Sequence, residues 1–393
     1  PRLAAATARQ LCLIPDMALG NLLYPSSWWL QKSGKSLSRI YPESFDKIAS
    51  RLIDILHLEP SLGRSAIVSS SKGRDWATDA LNSPAGLIAC ALLEDSRLDP
   101  VGGNPQHSSN TLKQLERLLA LSGNPRRHAI TMISHRLGWC HRFFREWSDS
   151  HLLSILDSED REDREALWAG VFWNPRISSV ELFLRLKAGI LALAKEAGAL
   201  RTGHLQVLAS LTLSGWFQRD EKNEERCISN AEFRDVLLHG GDDFRSHIVW
   251  QFERGLNDQK ESTRKMWLLS AADVFRDVWP RQRVAKSAAT SARLCELLLC
   301  NAESFSKLLD AVLPLLTKVA ASEDFSWHLR RDTGDIIRSQ AERLLQLLHV
   351  VLPEAASAWP YNIGNILNEL GEANHELLSD SRLEDLKRKW NAR

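Results

Sequence analysis

The stretch NAESFSKLLDAVLPLL, residues 301–316, carries the pattern that decides the fold class. Its apolar residues recur at intervals of three and four, which is the spacing of a helix that buries one face. They are Phe305, Leu308, Leu309, Val312, Leu313 and Leu316. Asn301 stands where an N-cap belongs, since its side-chain oxygen can accept from the first free backbone N–H groups. The stretch therefore predicts a helix over 302–316.

The same period recurs outward from this stretch in both directions. Clear examples lie in residues 48–56, 112–119, 337–351 and 383–390. Strict alternation never extends beyond a few residues, and Asn-Gly hairpin turns are absent from the sequence. We therefore expect an all-α protein of roughly fifteen helices joined by short loops. Two architectures fit this pattern: a HEAT/armadillo-like helical repeat array or an irregular multi-helix bundle.

Breaks in this helical pattern suggest how the 393 residues are divided. The segment DPVGGNPQHSSN, residues 99–110, is rich in Gly, Pro, Ser and Asn and has no apolar period. We predict an N-terminal helical segment over 1–98, a linker over 99–110 and a helical-repeat region over 111–393. Weaker breaks are predicted near 219–230 and 320–335.

Charge and cysteine content restrict the class of protein. Fifty basic and 49 acidic residues give a formal net charge of +1, which argues against a partner held mainly by electrostatics. The six cysteines form no C-x-x-C pair, so reduced thiols in a cytoplasmic protein are expected. No apolar run reaches the length of a membrane span, and no signal peptide is recognisable. The chain begins with Pro1, and we expect it to belong to a longer protein.

One local basic patch remains a candidate binding site despite the balanced charge. It consists of Arg281, Arg283, Lys286 and Arg293, which follow Trp279-Pro280. Their spacing predicts that they lie near one face of a helix. Such a patch could dock an acidic protein or a nucleic-acid backbone, although a solvated helix face is the simpler interpretation.

Two short motifs resemble catalytic loops but fail on inspection. Ser33-Gly34-Lys35-Ser36 matches the end of a phosphate-binding P-loop, but the required upstream glycine is replaced by Trp29. We therefore predict a polar loop there. In His239-Gly-Gly-Asp-Asp243 the glycines are expected to end one helix, and Asp242 or Asp243 to cap the next.

Histidine and tryptophan offer two further candidates. His128, His135 and His141 fall on one predicted helix, where a metal or proton-relay role is conceivable but a core or solvated role is the more common. No zinc-ligand spacing accompanies them, and we assign no catalytic, cofactor or metal residue. The 14 tryptophans, Trp28 and Trp279 among them, could stack on bases or cage a ligand. More often such residues fill the core between helices.

Several phrases resemble one known group of proteins. They are LERLLALSGNPRRHAITMISHRLGW (115–139), REALWAGVFWNPRISSVELFLRLKAGILALA (164–194), VWPRQRVAKSAATSARLCELLL (278–299) and VLPEAASAWPYNIGNILNEL (351–370). They look like the C-terminal helical region of bacterial sirtuin-like antiphage defence proteins, the defence-associated sirtuins. The resemblance extends over residues 111–393, whereas residues 1–110 have no counterpart in it.

The resemblance implies a function that composition and spacing do not. In such proteins an N-terminal sirtuin-like domain cleaves NAD⁺, and the helical region senses a phage component and restrains the enzyme. The present sequence lacks the nucleotide-binding Gly-rich loop and the sirtuin active-site residues. The chain alone is therefore not expected to cleave NAD⁺, which would be the substrate of the linked domain.

We accordingly expect a sensor or regulatory scaffold whose partner is a phage-encoded protein or the adjacent effector domain. Oligomerisation is compatible with this role, and membrane association is not expected. A nucleic-acid-binding scaffold within a defence complex is the first alternative, and would require the basic patch to continue across the helices. A cryptic hydrolase or nuclease, with its carboxylates and histidine drawn from distant helices, is the second.

Overall fold

A computed structural model describes residues 2–67, 74–98, 100–101, 104–105, 109–220, 224–320 and 333–393. The prediction of an all-α protein is confirmed, since 21 α-helices account for most of this described part. The helices form two compact units, Pro1–Leu186 and Lys187–Arg393. No helix among the described residues combines the length and apolar character that a membrane span requires.

The first unit consists of α-helices joined by turns and short 3-10 segments. They are α1 (Arg2–Leu13), α2 (Asp16–Asn21), α3 (Leu23–Ile40), α4 (Pro42–Leu58), α5 (Trp76–Leu81), α6 (Pro84–Leu93), α7 (Ser109–Leu119), α8 (Gly123–Ser134), α9 (Leu137–Phe143), α10 (Arg145–His151), α11 (Arg161–Trp173) and α12 (Val180–Lys195), which continues past the division. The 3-10 segments are Pro60–Gly63, Ser96–Leu98 and Leu153–Asp157. Two two-residue strands, β1 (Pro100–Val101) and β2 (Asn104–Pro105), pair antiparallel with Pro100 opposite Pro105.

Helix α6 forms the centre of the first unit. Its sequence PAGLIACALL is apolar on every side, as expected of a helix surrounded by others. It contacts α3, α4, α7 and α8. Ser83 caps it by accepting a hydrogen bond from the backbone N–H of Gly86 at 3.1 Å. The core of this unit therefore surrounds one almost fully buried helix.

The second unit is built in the same way. Its helices are α13 (Thr202–Phe217), α14 (Asn230–His239), α15 (Gly241–Leu256), α16 (Glu261–Asp273), α17 (Ala288–Leu299), α18 (Ala302–Val312), α19 (Thr333–Val351), α20 (Ile363–Ala373) and α21 (Ser381–Asn391). A π-helical turn, Val274–Val278, follows α16, and 3-10 segments cover Ala197–Ala199, Arg283–Ala285, Leu313–Leu315, Ala356–Ala358 and His375–Ser379. Helix α15 contacts α13, α16 and α17 and lies at the core.

The stretch that predicted the fold class behaves largely as expected. Asn301 caps α18 by accepting from the backbone N–H of Ser304 at 2.7 Å. Phe305, Leu308 and Val312 are buried along one face, as predicted. The helix ends at Val312 instead of residue 316 because Pro314 has no N–H to continue the hydrogen-bond ladder. The chain continues as the 3-10 turn Leu313–Leu315.

The compact units divide the chain at a different place from the predicted linker. Helix α7 begins at Ser109, within the predicted linker, and packs on α4, α6 and α8 within the first unit. The weak break at 219–230 contains a bridge between Arg219 and Arg226. Of the break at 320–335, residues 321–332 lie outside the described part of the chain.

Candidate partner-binding surface

The basic patch lies on a loop that two buried residues hold in place. After the π-helical turn the chain passes through Trp279, which is buried and packs against Phe275 with ring centroids 5.2 Å apart. Pro280 is also buried. Arg234 supports the turn from α14, since its Nε donates to the carbonyl of Val278 at 3.2 Å. The residues that precede the loop are therefore held in place by buried contacts.

Residues 281–286, here named the display loop, then emerge into solvent. Arg281 and Arg283 are exposed, and Val284 is 71% exposed. Ala285 turns back into the core, where it is 1% exposed. Ser287 then caps α17 by accepting from the backbone N–H of Thr290 at 3.0 Å. Anchors at both ends limit the conformations of the loop, which lowers the entropy lost on binding a partner.

The structure corrects the expectation that the four basic residues share a helix face. Arg283 belongs to a 3-10 turn, and α17 begins only at Ala288. Arg293 lies within α17 and is ion-paired with Glu296, with Glu253 at 3.9 Å. It is therefore neutralised and apart from the display loop. The patch reduces to Arg281, Arg283 and Lys286.

Charge is unevenly compensated around this smaller patch. The guanidinium of Arg281 donates to the carbonyl of Arg276 at 3.0 Å. Arg276 itself pairs with Asp273 at 2.7 Å and Asp277 at 3.0 Å. Within the described ranges, Arg283 and Lys286 have no ion-pair partner. Two uncompensated cations thus flank an exposed valine, which suits an acidic partner surface with an apolar centre.

The three histidines do not share one helix, contrary to the sequence-based prediction. Helix α8 ends at Ser134 and α9 starts at Leu137, so His128 and His141 lie on different helices with His135 between them. His128 faces Trp76 with ring centroids 6.1 Å apart, whereas His135 lies 4.3 Å from Trp173.

The environments of these histidines are those of packed residues. Burial lowers the pKa of His128 to about 4, and burial also lowers the pKa of His135 and His141. Across the described residues no group of three or more His, Cys, Asp or Glu could hold a metal ion. His128 in particular is a buried, neutral imidazole that packs against the ring of Trp76.

The two motifs that resembled catalytic loops have structural explanations. Residues 33–36 lie within α3, so the prediction of a polar loop is wrong and no strand-to-helix turn exists there. In the second motif the glycines do separate α14 from α15, and Gly241 adopts a φ of +80° that favours glycine. Capping by aspartate is wrong, because Asp242 accepts instead from Arg245 at 2.6 Å and Thr290 at 3.2 Å.

The second unit contains a cavity that sequence analysis did not predict. It has a volume of about 290 Å³ and is lined by Ser210, Leu213, Ser214, Phe217, Gln218, Gln251 and Trp267. Phe217 and Trp267 meet edge to face, with centroids 4.9 Å apart. A smaller cavity near Ser134 and Asn174 has a volume of about 10 Å³, barely enough to admit one water molecule. Neither cavity is lined by a carboxylate or a histidine, the groups that a hydrolase would need.

Comparisons with known proteins do not assign a function to this surface. Comparison of the chain with protein-family models, with curated sequences and with solved structures finds no match. Its function must therefore be inferred from the sequence and structure of this chain.

Proposed function

We propose that this chain is the sensor and regulatory helical scaffold of an antiphage defence protein. In this proposal the display loop binds a partner, either a phage-encoded protein or the adjacent effector domain. Binding shifts a linked NAD⁺-cleaving domain, which this chain does not contain, from an inhibited to an active arrangement. Such control requires the partner to bind the two arrangements with different affinity.

The display loop is the observation that supports a binding role. Val284 is 71% exposed, Arg283 is exposed and Lys286 is half-buried, so none of the three side chains belongs to the core of this unit. Arginine is enriched among the residues that dominate binding energy at protein interfaces. The loop thus has the chemistry of an interface without a partner inside its own unit.

The sequence resemblance supports the defence role and the NAD⁺-cleaving domain. One of the similar phrases, residues 278–299, contains the whole display loop. The six cysteines are free, and three of them are buried, which supports a reducing, cytoplasmic location. The proposal therefore joins a surface seen in the structure to a role implied by the resemblance.

Charge reversal on the loop tests the proposal in living cells. Bacteria expressing the full gene are infected with phage, and their NAD⁺ content is followed. We expect NAD⁺ to fall in cells with the native protein and to stay high with Arg283→Glu/Lys286→Glu. Loss of a dominant interface contact of at least ~2 kcal/mol weakens binding about 30-fold, enough to prevent triggering.

Lys47→Glu/Lys260→Glu is the matched control for this experiment. Both lysines are exposed and, like Arg283 and Lys286, have no ion pair within the described part of the chain. The control should trigger like the native protein. NAD⁺ loss that is equally fast in the loop variant would overturn the role of the display loop.

A further inference from the structure

The solvent face of α3 carries four residues in line: Trp28, Lys32, Lys35 and Arg39. They are spaced by four, three and four residues, which places them on one face of a helix. All four are exposed, and Trp28 is 51% exposed. We name this line of residues the α3 stripe. It belongs to the first unit and is independent of the display loop.

The opposite face of α3 explains why the stripe is held rigidly. Leu30 and Leu37 are buried against the rest of the unit. At Gly34 an added Cβ would lie 3.2 Å from Phe45 and 3.5 Å from Ala91, so the glycine permits close approach of α4 and α6. The Gly-Lys pair that resembled a P-loop therefore has two structural roles. Gly34 allows α3 to pack closely against α4 and α6, and Lys35 lies on the exposed face of α3.

No acidic residue lies near the stripe in the sequence. Residues 17–42 contain no Asp or Glu, although the chain as a whole has 49 acidic residues against 50 basic ones. Lys32 and Arg39 have no ion-pair partner in the portion of the chain that the structure describes. Lys35 adds a third positive charge and takes part in a further interaction. The face therefore favours a negatively charged ligand.

Trp28 indicates which kind of negatively charged ligand the stripe binds. Its ring makes no aromatic or cation–π contact within the described residues, and half of its surface is open to solvent. Aromatic rings beside a row of cations are how proteins bind single-stranded nucleic acid, because unstacked bases lie on the ring while phosphates contact the cations. A duplex offers no free base for such stacking.

An anionic membrane fits this face less well. Insertion of a surface helix requires a broad apolar face opposite its cations. On α3 the face opposite the cations is buried in the unit, and Trp28 shares its line with three cations. We propose that the α3 stripe binds single-stranded nucleic acid, with Trp28 stacking on a base and Lys32, Lys35 and Arg39 contacting phosphates. The stripe is about 16 Å long at 1.5 Å per helical residue, which accommodates a few nucleotides.

Fluorescence anisotropy with labelled oligonucleotides tests this proposal on the full 393-residue chain. The probe is a single strand of about 12 nucleotides, within the size range of known single-strand sites. Contacts to two or three phosphates predict a slope of log K against log salt between about −1.4 and −2.1. A fourfold rise in salt should then weaken binding about 7- to 18-fold. The matching duplex should bind more weakly than the single strand.

Two variants separate stacking from charge. Trp28→Ala should weaken single-strand binding about 5- to 150-fold with an unchanged salt slope, since stacking involves no released ions. Lys32→Gln/Arg39→Gln should weaken binding and reduce the magnitude of the slope by about 1.4. Lys47→Gln, an exposed and unpaired lysine on α4, is the matched control and should bind like the native chain.

Several results would overturn the proposal. They are the absence of single-strand binding at low salt, full affinity in the Trp28→Ala variant, and duplex binding as tight as single-strand binding. Binding to phosphatidylserine vesicles without binding to the oligonucleotide would assign the stripe to a membrane surface instead. All the substituted side chains are exposed, so the variants should fold like the native chain. Circular dichroism of each variant checks this.

Discussion

Among single residues, His128 is the clearest case of a polar group placed in the core. It is 1% exposed on α8 and lies beside the ring of Trp76. Desolvation lowers its pKa to about 4, although the carboxylate of Asp79 acts in the opposite direction and Arg74 and Arg127 reinforce the shift. The imidazole is therefore neutral in the folded protein at neutral pH.

This pKa shift predicts a loss of stability in weak acid. The folded pKa lies below the unfolded value of about 6.5, so the unfolded chain binds more protons between the two values and stability falls as the pH drops. Between about pH 7 and pH 5 the contribution of His128 should fall by about 2 kcal/mol. Urea denaturation of the native protein and of His128→Leu at both pH values measures it.

The comparison with the variant isolates His128 from other titrating groups. His135, His141 and His247 also have pKa values lowered by burial, and they remain in both proteins. The native protein should lose about 2 kcal/mol more than His128→Leu over this pH range. Equal losses in the two proteins would show that His128 titrates normally in the folded state.

Tryptophan shows why residue type alone does not locate a site. Trp147, Trp168, Trp279 and Trp359 are buried between helices, as predicted from their size. Trp28 is the same type of residue, yet it is half exposed. Its exposure depends on which face of α3 packs against α6, and that is decided by contacts distant in sequence.

At the level of helices, the contact between α8 and α11 depends on a glycine. An added Cβ at Gly170 would lie 2.3 Å from the carbonyl oxygen of Thr131, closer than atoms can approach. Thr131 also donates to the carbonyl of Ala166 at 3.1 Å, which joins the two helices. The backbones are thus in direct contact, and no side chain can be inserted without moving one helix.

Gly170→Ala should therefore destabilise the first unit despite the higher helix propensity of alanine. Overpacking of this kind costs about 1–3 kcal/mol. Gly203→Ala in α13 is the matched control, since an added Cβ there meets no atom within 4 Å. That variant should be neutral or stabilised by up to about 1 kcal/mol. Urea denaturation measures both, and a Gly170→Ala protein as stable as the control would refute the close contact.

Helix periods were visible in the sequence, but several helix ends were not. Pro314 explains the end of α18, and Asn301 was recognisable as its cap. By contrast, residues 126–143 contain neither Gly-Pro nor Asn-Gly and were expected to form one helix, whereas the structure ends α8 at Ser134. Gly138 on α9 lies against the carbonyl of Arg176, at 2.4 Å from an ideal Cβ position. Packing against a later segment, and not local propensity, accompanies this break.

For the molecule as a whole, the recurring helical period predicted the fold class but not the place where the compact units divide. The Gly- and Pro-rich segment at 99–110 resembled a boundary, yet the compact units divide at Leu186, within α12. A helical period continues through such a division, so periodicity cannot reveal it. The basic patch remains a prediction from the sequence, whereas the ion pair between Arg293 and Glu296 is visible only in the structure.

We propose that this chain restrains a linked NAD⁺-cleaving domain. The most direct test measures NAD⁺ hydrolysis by the purified product of the full gene, with and without the 393 residues of this chain. If the chain restrains the linked domain, hydrolysis should be slow with the intact product and faster once the chain is removed. If neither product cleaves NAD⁺, or if removal of the chain leaves the rate unchanged, the regulatory role is contradicted.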